Sequence, residues 1–164
     1  MDIAIVSDSH IPSRAQSIPA WARREIQTAE YVLHAGDFDS TKALADVRRL
    51  ASRLVAVGGN TDPRGLDLPT VETVDLGGVR FVLTHGAGSK RTYESRVAGI
   101  VDDHAGEKPT VGVAGHTHEL LDETVEGYRL LNPGSVTGAA PADVATMLTA
   151  TASDGELDVT VHRA

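Results

Sequence analysis

The 164-residue chain has no cysteine, and its aromatic residues make up only 4% of the sequence. The missing cysteines exclude disulfides, thiolate zinc sites and cysteine nucleophiles. Because aromatic rings are scarce, the hydrophobic core must rest on the Val, Leu, Ile and Ala residues within the 41% hydrophobic fraction. The length and composition are typical of one globular domain, which we expect to span residues 1–164.

Basic residues are also few, since 15 Lys and Arg against 23 Asp and Glu give a formal net charge of −8. This balance disfavours a broad surface for duplex nucleic acid, because like charges repel. The chain has no polybasic tract for anionic lipid and no apolar run of the ~18 residues that a membrane span needs. Its first apolar run is too short for a signal peptide and lacks a basic segment before it. We therefore expect a cytoplasmic protein without a membrane partner.

The first part of the chain alternates apolar runs with amphipathic segments. The runs at residues 3–6, 31–33 and 54–57 are typical of buried strands, and the segments that begin near residues 18 and 41 have apolar residues at helical spacing. This β-α-β-α-β order predicts a parallel sheet with crossover helices.

The second half has a different pattern. Paired apolar runs flank Gly77-Gly78, Glu126-Gly127 and Ser153-Asp154-Gly155, which predicts three β-hairpins. A helix with Tyr93 and Val97 on one face and an apolar strand over residues 110–114 lie between the first two hairpins. A parallel half followed by hairpins predicts an α/β sandwich of two packed mixed sheets with helices outside.

Polar side chains follow five of the apolar runs, each just past the carboxyl end of a predicted strand. They are Asp8 and His10, Asp37, Asn60, His85, and His116 with His118. Sites in α/β sheets form at this edge. The pairs at i, i+2 spacing would point to the same side of an extended segment. Imidazole and carboxylate without thiolate suit Mn²⁺, Fe, Zn²⁺ or Ni²⁺, and seven ligands fit two ions if one carboxylate bridges them.

A dinuclear centre would have a defined chemistry. The positive charge of two divalent ions exceeds the negative charge of Asp8 and Asp37, so the centre would stay positive and bind a phosphoryl group. It would also lower the pKa of a bound water to about 7. A single Asp or His at a strand end is more often a turn former, but five such groups together favour a metal site.

The motifs Ser-Asp8-Ser-His10, Gly36-Asp37, Gly59-Asn60, Thr-His85-Gly86 and Gly115-His116-Thr117-His118 follow one another along the chain. The set resembles the calcineurin-like metallophosphoesterase superfamily, and Asn132-Pro133-Gly134-Ser135 is similar to a motif of its small single-domain phosphodiesterase branch in bacteria and archaea. The resemblance implies a four-layer α/β/β/α sandwich of two mixed sheets with a dinuclear site at the carboxyl ends of strands. It also implies two ligand sets, with Asp37 bridging: Asp8, His10, Asp37 and His118 for one ion, and Asp37, Asn60, His85 and His116 for the other.

The resemblance further implies hydrolysis of small phosphodiesters, in which two divalent ions activate a water for in-line attack and His85 and His116 help to stabilise the developing charge. Mn²⁺ is the first choice of ion, with Ni²⁺, Fe²⁺ or Zn²⁺ as alternatives. A phosphomonoesterase or nucleotidase could use the same site. A non-catalytic scaffold is a third alternative, since the branch resembles a eukaryotic vesicle-coat subunit that acts through protein contacts. The expected partner is a small phosphoester, and assembly into a homo-oligomer is left open.

One position departs from the superfamily pattern. Many members have a His directly after the Gly-Asn pair as the proposed general acid, whereas Thr61 and then Asp62 follow Asn60 here. With a raised pKa, Asp62 would be the general acid, so we name it as a catalytic candidate beside His85 and His116. The alternative is that Asp62 orients a ligand or caps its turn.

Two further features lie beside these motifs. His34 precedes Ala35-Gly36-Asp37 and is either a positioning partner of a ligand or a buried core histidine. The segment Gly86-Ala87-Gly88-Ser89-Lys90 looks like a phosphate loop but lacks the Walker spacing, so we expect Ser89 to cap the helix that follows.

Overall fold

The computed structural model describes residues 1–164 and contains ten strands and three α-helices. The strands are β1 (Asp2–Val6), β2 (Tyr31–His34), β3 (Leu54–Ala56), β4 (Val71–Leu76), β5 (Val79–Thr84), β6 (Thr110–Val113), β7 (Leu120–Val125), β8 (Tyr128–Pro133), β9 (Thr146–Ser153) and β10 (Glu156–Arg163). The helices are α1 (Ala20–Thr28), α2 (Thr41–Leu50) and α3 (Tyr93–His104). None of the helices has the length and hydropathy that crossing a bilayer requires.

The strands form two five-stranded mixed sheets. The first has the order β10-β9-β1-β2-β3, in which β1, β2 and β3 are parallel and β9 runs antiparallel to β1. The second has the order β4-β5-β6-β8-β7, in which β5, β6 and β8 are parallel and β4 and β7 are antiparallel. The chain thus returns to the first sheet through its last hairpin.

Three hydrophobic clusters hold the layers together. Along β1, Ile3 and Ile5 face the core between the two sheets, whereas Ala4 and Val6 face α1 and α2. A strand buried on both faces needs an unbroken apolar run, which explains the composition of residues 3–6. The third cluster packs α3 on the second sheet. These layers confirm the predicted α/β/β/α sandwich.

The three predicted hairpins are present, and each has a two-residue turn. Both turn residues have positive φ in Gly77-Gly78 (+58° and +82°), Glu126-Gly127 (+50° and +88°) and Asp154-Gly155 (+51° and +80°). Positive φ at both positions matches the twist of the flanking strands. Ser153, predicted to lie in the third turn, is instead the last residue of β9.

Gly112 in β6 lies under α3 and leaves no room for a side chain. A Cβ atom there would lie 2.6 Å from Val101 Cγ2 and 2.7 Å from Leu130 Cδ2. We expect Gly112→Ala to lower the free energy of unfolding by about 1–3 kcal/mol through overpacking. Gly99→Ala on α3 is the matched control, because nothing lies within 4 Å of its Cβ, and it should raise the stability by up to about 1 kcal/mol. Urea denaturation measures both, and equal stabilities of the two variants would contradict the packing argument.

Candidate metal centre

Loops at the carboxyl ends of five strands bring the seven predicted ligands to one edge of the sandwich. The first sheet provides Asp8, His10, Asp37 and Asn60, and the second provides His85, His116 and His118. Five of these residues are buried, whereas His116 is half-buried and Asn60 is exposed. The centre therefore opens to solvent on the side of His116 and Asn60.

The first cluster contains Asp8, His10, Asp37 and His118. His10 Nε2 lies 3.1 Å from His118 Nε2, 3.5 Å from Asp37 Oδ2 and 3.6 Å from Asp8 Oδ1. His118 Nε2 lies 3.3 Å from Asp8 Oδ1. Ligand atoms about 2.0–2.2 Å from one ion are separated from each other by about 3.0–3.6 Å. The atoms of Asp8, His10 and His118 thus have the spacing of ligands around a common ion, and Asp37 Oδ2 adjoins them beside His10.

The second cluster shares Asp37 with the first. Asp37 Oδ2 lies 3.0 Å from His85 Nε2, while the same oxygen is near His10. At the open side, His116 Nδ1 lies 3.1 Å from Asn60 Oδ1, and the rings of His85 and His116 meet edge to face with centroids 5.3 Å apart. Asp37 Oδ2 is therefore placed as a bridging ligand would be.

Two buried atoms at this centre have no hydrogen-bond partner, Asp8 Oδ1 and His85 Nε2. They lie 3.9 Å apart. A buried polar atom without a partner costs about 1–3 kcal/mol and is rare in folded proteins. Asp8 belongs to two buried candidate ligand groups, one with His10 and His118 and one with Asp37 and His85. The residues thus fit a pair of divalent ions.

Each histidine of the centre has its other ring nitrogen fixed by an acceptor. The pairs are His10 Nδ1 with Asp39 (3.0 Å), His85 Nδ1 with Ala35 O (2.7 Å), His118 Nδ1 with Ala139 O (2.8 Å) and His116 Nε2 with Gly88 O (3.0 Å). Because carbonyl and carboxylate oxygens only accept, Nδ1 of His10, His85 and His118 carries the proton and their Nε2 presents a lone pair to the cluster. His116 differs, because its Nδ1 also faces an acceptor, Asn60 Oδ1. Metal-bound histidines have this outer hydrogen bond almost without exception.

The backbone of the ligands is in an uncommon conformation. Positive φ occurs at Asp8 (+54°), His10 (+47°), Asp37 (+63°), His116 (+73°) and His118 (+61°). The i, i+2 pairs were predicted to lie on extended segments, which is wrong, because left-handed turns bring their side chains together. Such residues cost of order 1–3 kcal/mol each and persist only where the surroundings hold them.

The carboxylates of the centre are held in the charged form. Burial raises the pKa of Asp8, but the close imidazoles of His10 and His118, 3.6 and 3.3 Å from Oδ1, and nearby His85 outweigh burial and leave the pKa well below its ordinary value. Burial also raises the pKa of Asp37, and His85 and the Thr61 N–H bring it below the ordinary value. Both groups are therefore available as anionic ligands at neutral pH.

Asp39 is a site residue that the sequence prediction missed. Its carboxylate accepts from His10 Nδ1 at 3.0 Å and from the hydroxyls of Ser13 and Thr61, and its φ is +78°. It orients His10 from the side opposite the cluster. The only signal in the sequence is a carboxylate two residues after Asp37, the spacing that the other ligand pairs have.

Asn132 and Ser135 hold loops that carry ligands, and Ser135 joins the second sheet to a loop of the first. Asn132 Nδ2 donates to Gly115 O and to the Tyr93 hydroxyl, each at 3.0 Å, and that hydroxyl donates to Gly115 O at 2.8 Å. Burial raises the pKa of Tyr93, which keeps it a neutral donor. Ser135 Oγ donates to Asp8 O at 2.7 Å. These contacts fix the loops that carry ligands.

Asp62 lies beside the centre and uses both oxygens as acceptors. Oδ2 accepts from the N–H groups of Asp37 (2.9 Å) and Gly59 (2.8 Å), and Oδ1 accepts from the N–H of Asp39 (2.8 Å). Three such bonds orient the turn that carries Asp37, which favours the orienting role. The role of general acid stays a prediction.

His34 is fully buried and contacts none of the ligand side chains. Its Nδ1 accepts from Gly36 N–H at 3.1 Å, its Nε2–H donates to Ser9 Oγ at 2.8 Å, and its ring stacks on Phe38 with centroids 3.6 Å apart. It is therefore a core histidine that also holds the backbone beside the ligands. Burial lowers its pKa to about 3.

Residues 1–155 match the profile of the calcineurin-like phosphoesterase superfamily domain. The chain belongs to the calcineurin-like phosphoesterase superfamily. Membership confirms the resemblance and makes the protein a hydrolase of the metallophosphoesterase type, a family that uses a dinuclear divalent metal site.

Two archaeal relatives are similar over most of the chain. A probable metallophosphoesterase of Methanothermobacter thermautotrophicus is 34% identical over 151 residues, which cover 90% of this chain and 84% of that protein. A phosphodiesterase of Methanocaldococcus jannaschii is 26% identical over 153 residues, which cover 84% of this chain and 86% of that protein. The crystal structure of Entamoeba histolytica Vps29 complexed with Zn²⁺ has the same fold, with a TM-score of 0.74 and 24% identity over 100% of this chain and 98% of that chain.

The lowered pKa of His34 predicts how the free energy of unfolding depends on pH. The unfolded chain binds a proton at this histidine below its ordinary pKa of 6.5, whereas the folded protein does so only near pH 3. Neutral His34 therefore makes the free energy of unfolding fall as the pH drops from about 6.5 toward 3. We expect His34→Asn to be less stable by about 1–3 kcal/mol at pH 7.5, and its stability to fall less steeply on acidification.

Urea denaturation in EDTA at pH 7.5, 6 and 5 measures this slope. His104→Asn is the matched control, because His104 is exposed on the last turn of α3, and it should keep the slope of the unmodified protein. A His34→Asn variant with the unmodified slope would show that His34 is not the buried neutral group.

Proposed function

We propose that the protein is a metal-dependent phosphodiesterase that acts on small phosphodiesters. The observation that carries this proposal is the convergence of the ligand atoms around two unpartnered buried atoms. One ion would be held by Asp8, His10, Asp37 and His118, and the other by Asp37, Asn60, His85 and His116. When bound, two divalent ions supply a nucleophilic water with a pKa of about 7 and neutralise the charge of a phosphoryl group.

The opening of the centre supports a small substrate. The buried ligands Asp8 and His10 lie at the bottom, and the exposed residues Asn60 and Thr61 lie at the rim beside half-buried His116. A phosphoester would enter from that rim. The net charge of −8 opposes binding of a long duplex, since a polyanion meets repulsion everywhere outside the centre.

The donor set supports Mn²⁺ as the proposed ion. Imidazole nitrogens, carboxylates and one amide oxygen without thiolate suit Mn²⁺, Fe²⁺, Ni²⁺ and Zn²⁺. Zn²⁺ is present in the Entamoeba histolytica Vps29 structure, so it is the first alternative to test. The catalytic contribution proposed for His85 and His116 is to hold and orient the ion on the open side of the centre.

Two alternatives each have some support. A phosphomonoesterase would use the same residues, and the Methanocaldococcus jannaschii relative named a phosphodiesterase is what favours diesters. The likeness in fold to Vps29 favours a protein-interaction scaffold. All seven ligands are present here, however, and each of the four histidines has its outer hydrogen bond, which a scaffold does not need.

Removal of a proposed ligand should abolish hydrolysis. We expect Asp37→Asn and His116→Ala to lower kcat/KM on an aryl phosphodiester by more than about 100-fold, because one removes the bridging charge and the other a ligand at the rim. Asp122→Asn makes the same chemical change on exposed β7 and should keep full activity. The measurement uses protein stripped with EDTA, reloaded with Mn²⁺ and analysed for metal content.

The same experiment separates the alternatives. Two equivalents of metal and faster turnover of the diester than of the matched monoester would support the proposal. Faster turnover of the monoester would replace it with a phosphomonoesterase. If the unmodified protein binds no metal and turns over neither ester, the protein-interaction scaffold would be the remaining alternative.

Asp62→Asn distinguishes the two roles of Asp62. The substitution puts an amide NH₂ group opposite backbone N–H donors, from which it cannot accept. We therefore expect the metal affinity to fall by about 10–100-fold, while the pH profile of kcat/KM keeps its alkaline limb. A variant with unchanged metal affinity that loses the alkaline limb would instead identify Asp62 as the general acid.

A further inference from the structure

The exposed loop of residues 86–90, between β5 and α3, adjoins the open side of the centre. Ser89 Oγ accepts from the Arg91 N–H at 3.2 Å and caps the short turn Lys90–Thr92 that precedes α3. The prediction that it caps α3 itself is wrong, because the N-cap of α3 is Thr92. The loop carbonyls, and not its amides, make the contacts with side chains. Through these carbonyls the loop contacts both α3 and the metal centre.

Arg96 on α3 binds three of these carbonyls with one guanidinium. Its Nη1 donates to Ala87 O at 2.7 Å, its Nη2 donates to Ser89 O at 2.8 Å, and both nitrogens lie 3.4 Å from Gly86 O. Its Nε donates to Thr92 Oγ1 at 2.9 Å, which aligns the side chain. A planar group with five N–H donors makes such a set of bonds, whereas an ammonium cannot span it.

Of the two remaining carbonyls of the loop, Lys90 O accepts from the Tyr93 N–H, whereas Gly88 O faces the centre. Gly88 O accepts from His116 Nε2 at 3.0 Å. Gly88 has a φ of +126°, and a Cβ atom there would lie 3.0 Å from Arg96 Cζ. A glycine thus lets the loop pass against the guanidinium with its carbonyl turned to His116.

The acceptor that holds the His116 ring differs from the acceptors of the other histidines. The acceptors for His85 and His118 are the carbonyls of Ala35 and Ala139, which are buried residues. Gly88 lies in a stretch of exposed residues, so packing does not hold it in place. Arg96 makes all its guanidinium bonds to this loop and Thr92, and none to a carboxylate.

We propose that Arg96 is a positioning residue for His116. It fixes the loop, and the loop fixes Gly88 O, which accepts from His116 Nε2 and keeps the proton there against the competing acceptor Asn60 Oδ1 at Nδ1. The consequence for ion binding rests on the proposed function, whereas the effect on the His116 ring does not.

The first test reads the ring directly in metal-free protein. NMR of ¹⁵N-labelled histidine at about pH 8, above the ordinary titration range of imidazole, should show the Nε2–H tautomer of His116 in the unmodified protein and a mixture in Arg96→Met. Arg91→Met is the matched control, because it removes the same charge from a side chain without a hydrogen bond, and it should keep the single tautomer. Arg96→Lys should resemble Arg96→Met, since it keeps the charge but not the planar donor set.

The second test measures Mn²⁺ binding by calorimetry. We expect Arg96→Met to weaken one of two binding steps by about 10–100-fold and to leave the other unchanged. Gly88→Ala strains the same loop with Arg96 in place and should give the same pattern, which keeps the test decisive if Arg96→Met folds poorly.

The outcomes are distinguishable from failure of the proposed function. An unmodified protein that binds none of Mn²⁺, Zn²⁺, Fe²⁺ and Ni²⁺ would overturn the phosphodiesterase proposal, and the tautomer of His116 would still decide the role of Arg96. A single Nε2–H tautomer in Arg96→Met, full recovery in Arg96→Lys, or the same loss in Arg91→Met would overturn the positioning role.

Discussion

The burial of two carboxylates among histidine lone pairs is the constraint on which the rest of this structure depends. Asp8 and Asp37 carry negative charge away from water, and a buried charge is costly unless a positive partner lies beside it. Asp8 Oδ1 and His85 Nε2 have no hydrogen-bond partner within the protein. Two divalent ions would supply the positive charge, so the electrostatics of the centre and the chemistry proposed for it have one cause.

Both sheets contribute ligands to this arrangement. The parallel strands of the first sheet deliver Asp8, Asp37 and Asn60 to one edge, and β5 and β6 deliver His85 and His116 to the same edge from the second. The left-handed turns at these ligands persist because backbone and side-chain bonds hold them from behind. Each proposed ligand set has members from both sheets, so the inter-sheet core sets the distances within each set, and a change in sheet packing would alter the centre.

The sequence predicts those parts of the structure that are encoded by local patterns. Strands, hairpins and the seven ligands follow from apolar runs, Gly-containing turns and the polar residues after strands. The position of the last hairpin beside β1 depends on tertiary packing. Asp39 was missed because its partner His10 lies 29 residues away, and Arg96 because its acceptors are backbone carbonyls, which leave no trace in residue identity. The local geometry of the ligand pairs was wrong because left-handed residues replace the expected extended ones.

The likeness to Vps29 shows that this fold also occurs in proteins of another name, and a fold by itself does not determine function. The features that argue for catalysis are those that cost stability. Five non-glycine residues have positive φ at the centre, and two buried atoms there lack partners. Neither feature helps a sandwich of sheets and helices to pack. Glycine would relieve the backbone strain at positive φ, and an apolar residue would remove the unpartnered polar atoms. Their presence together at one edge is explained by ligands that must converge on ions, and this explanation does not depend on the overall shape of the protein.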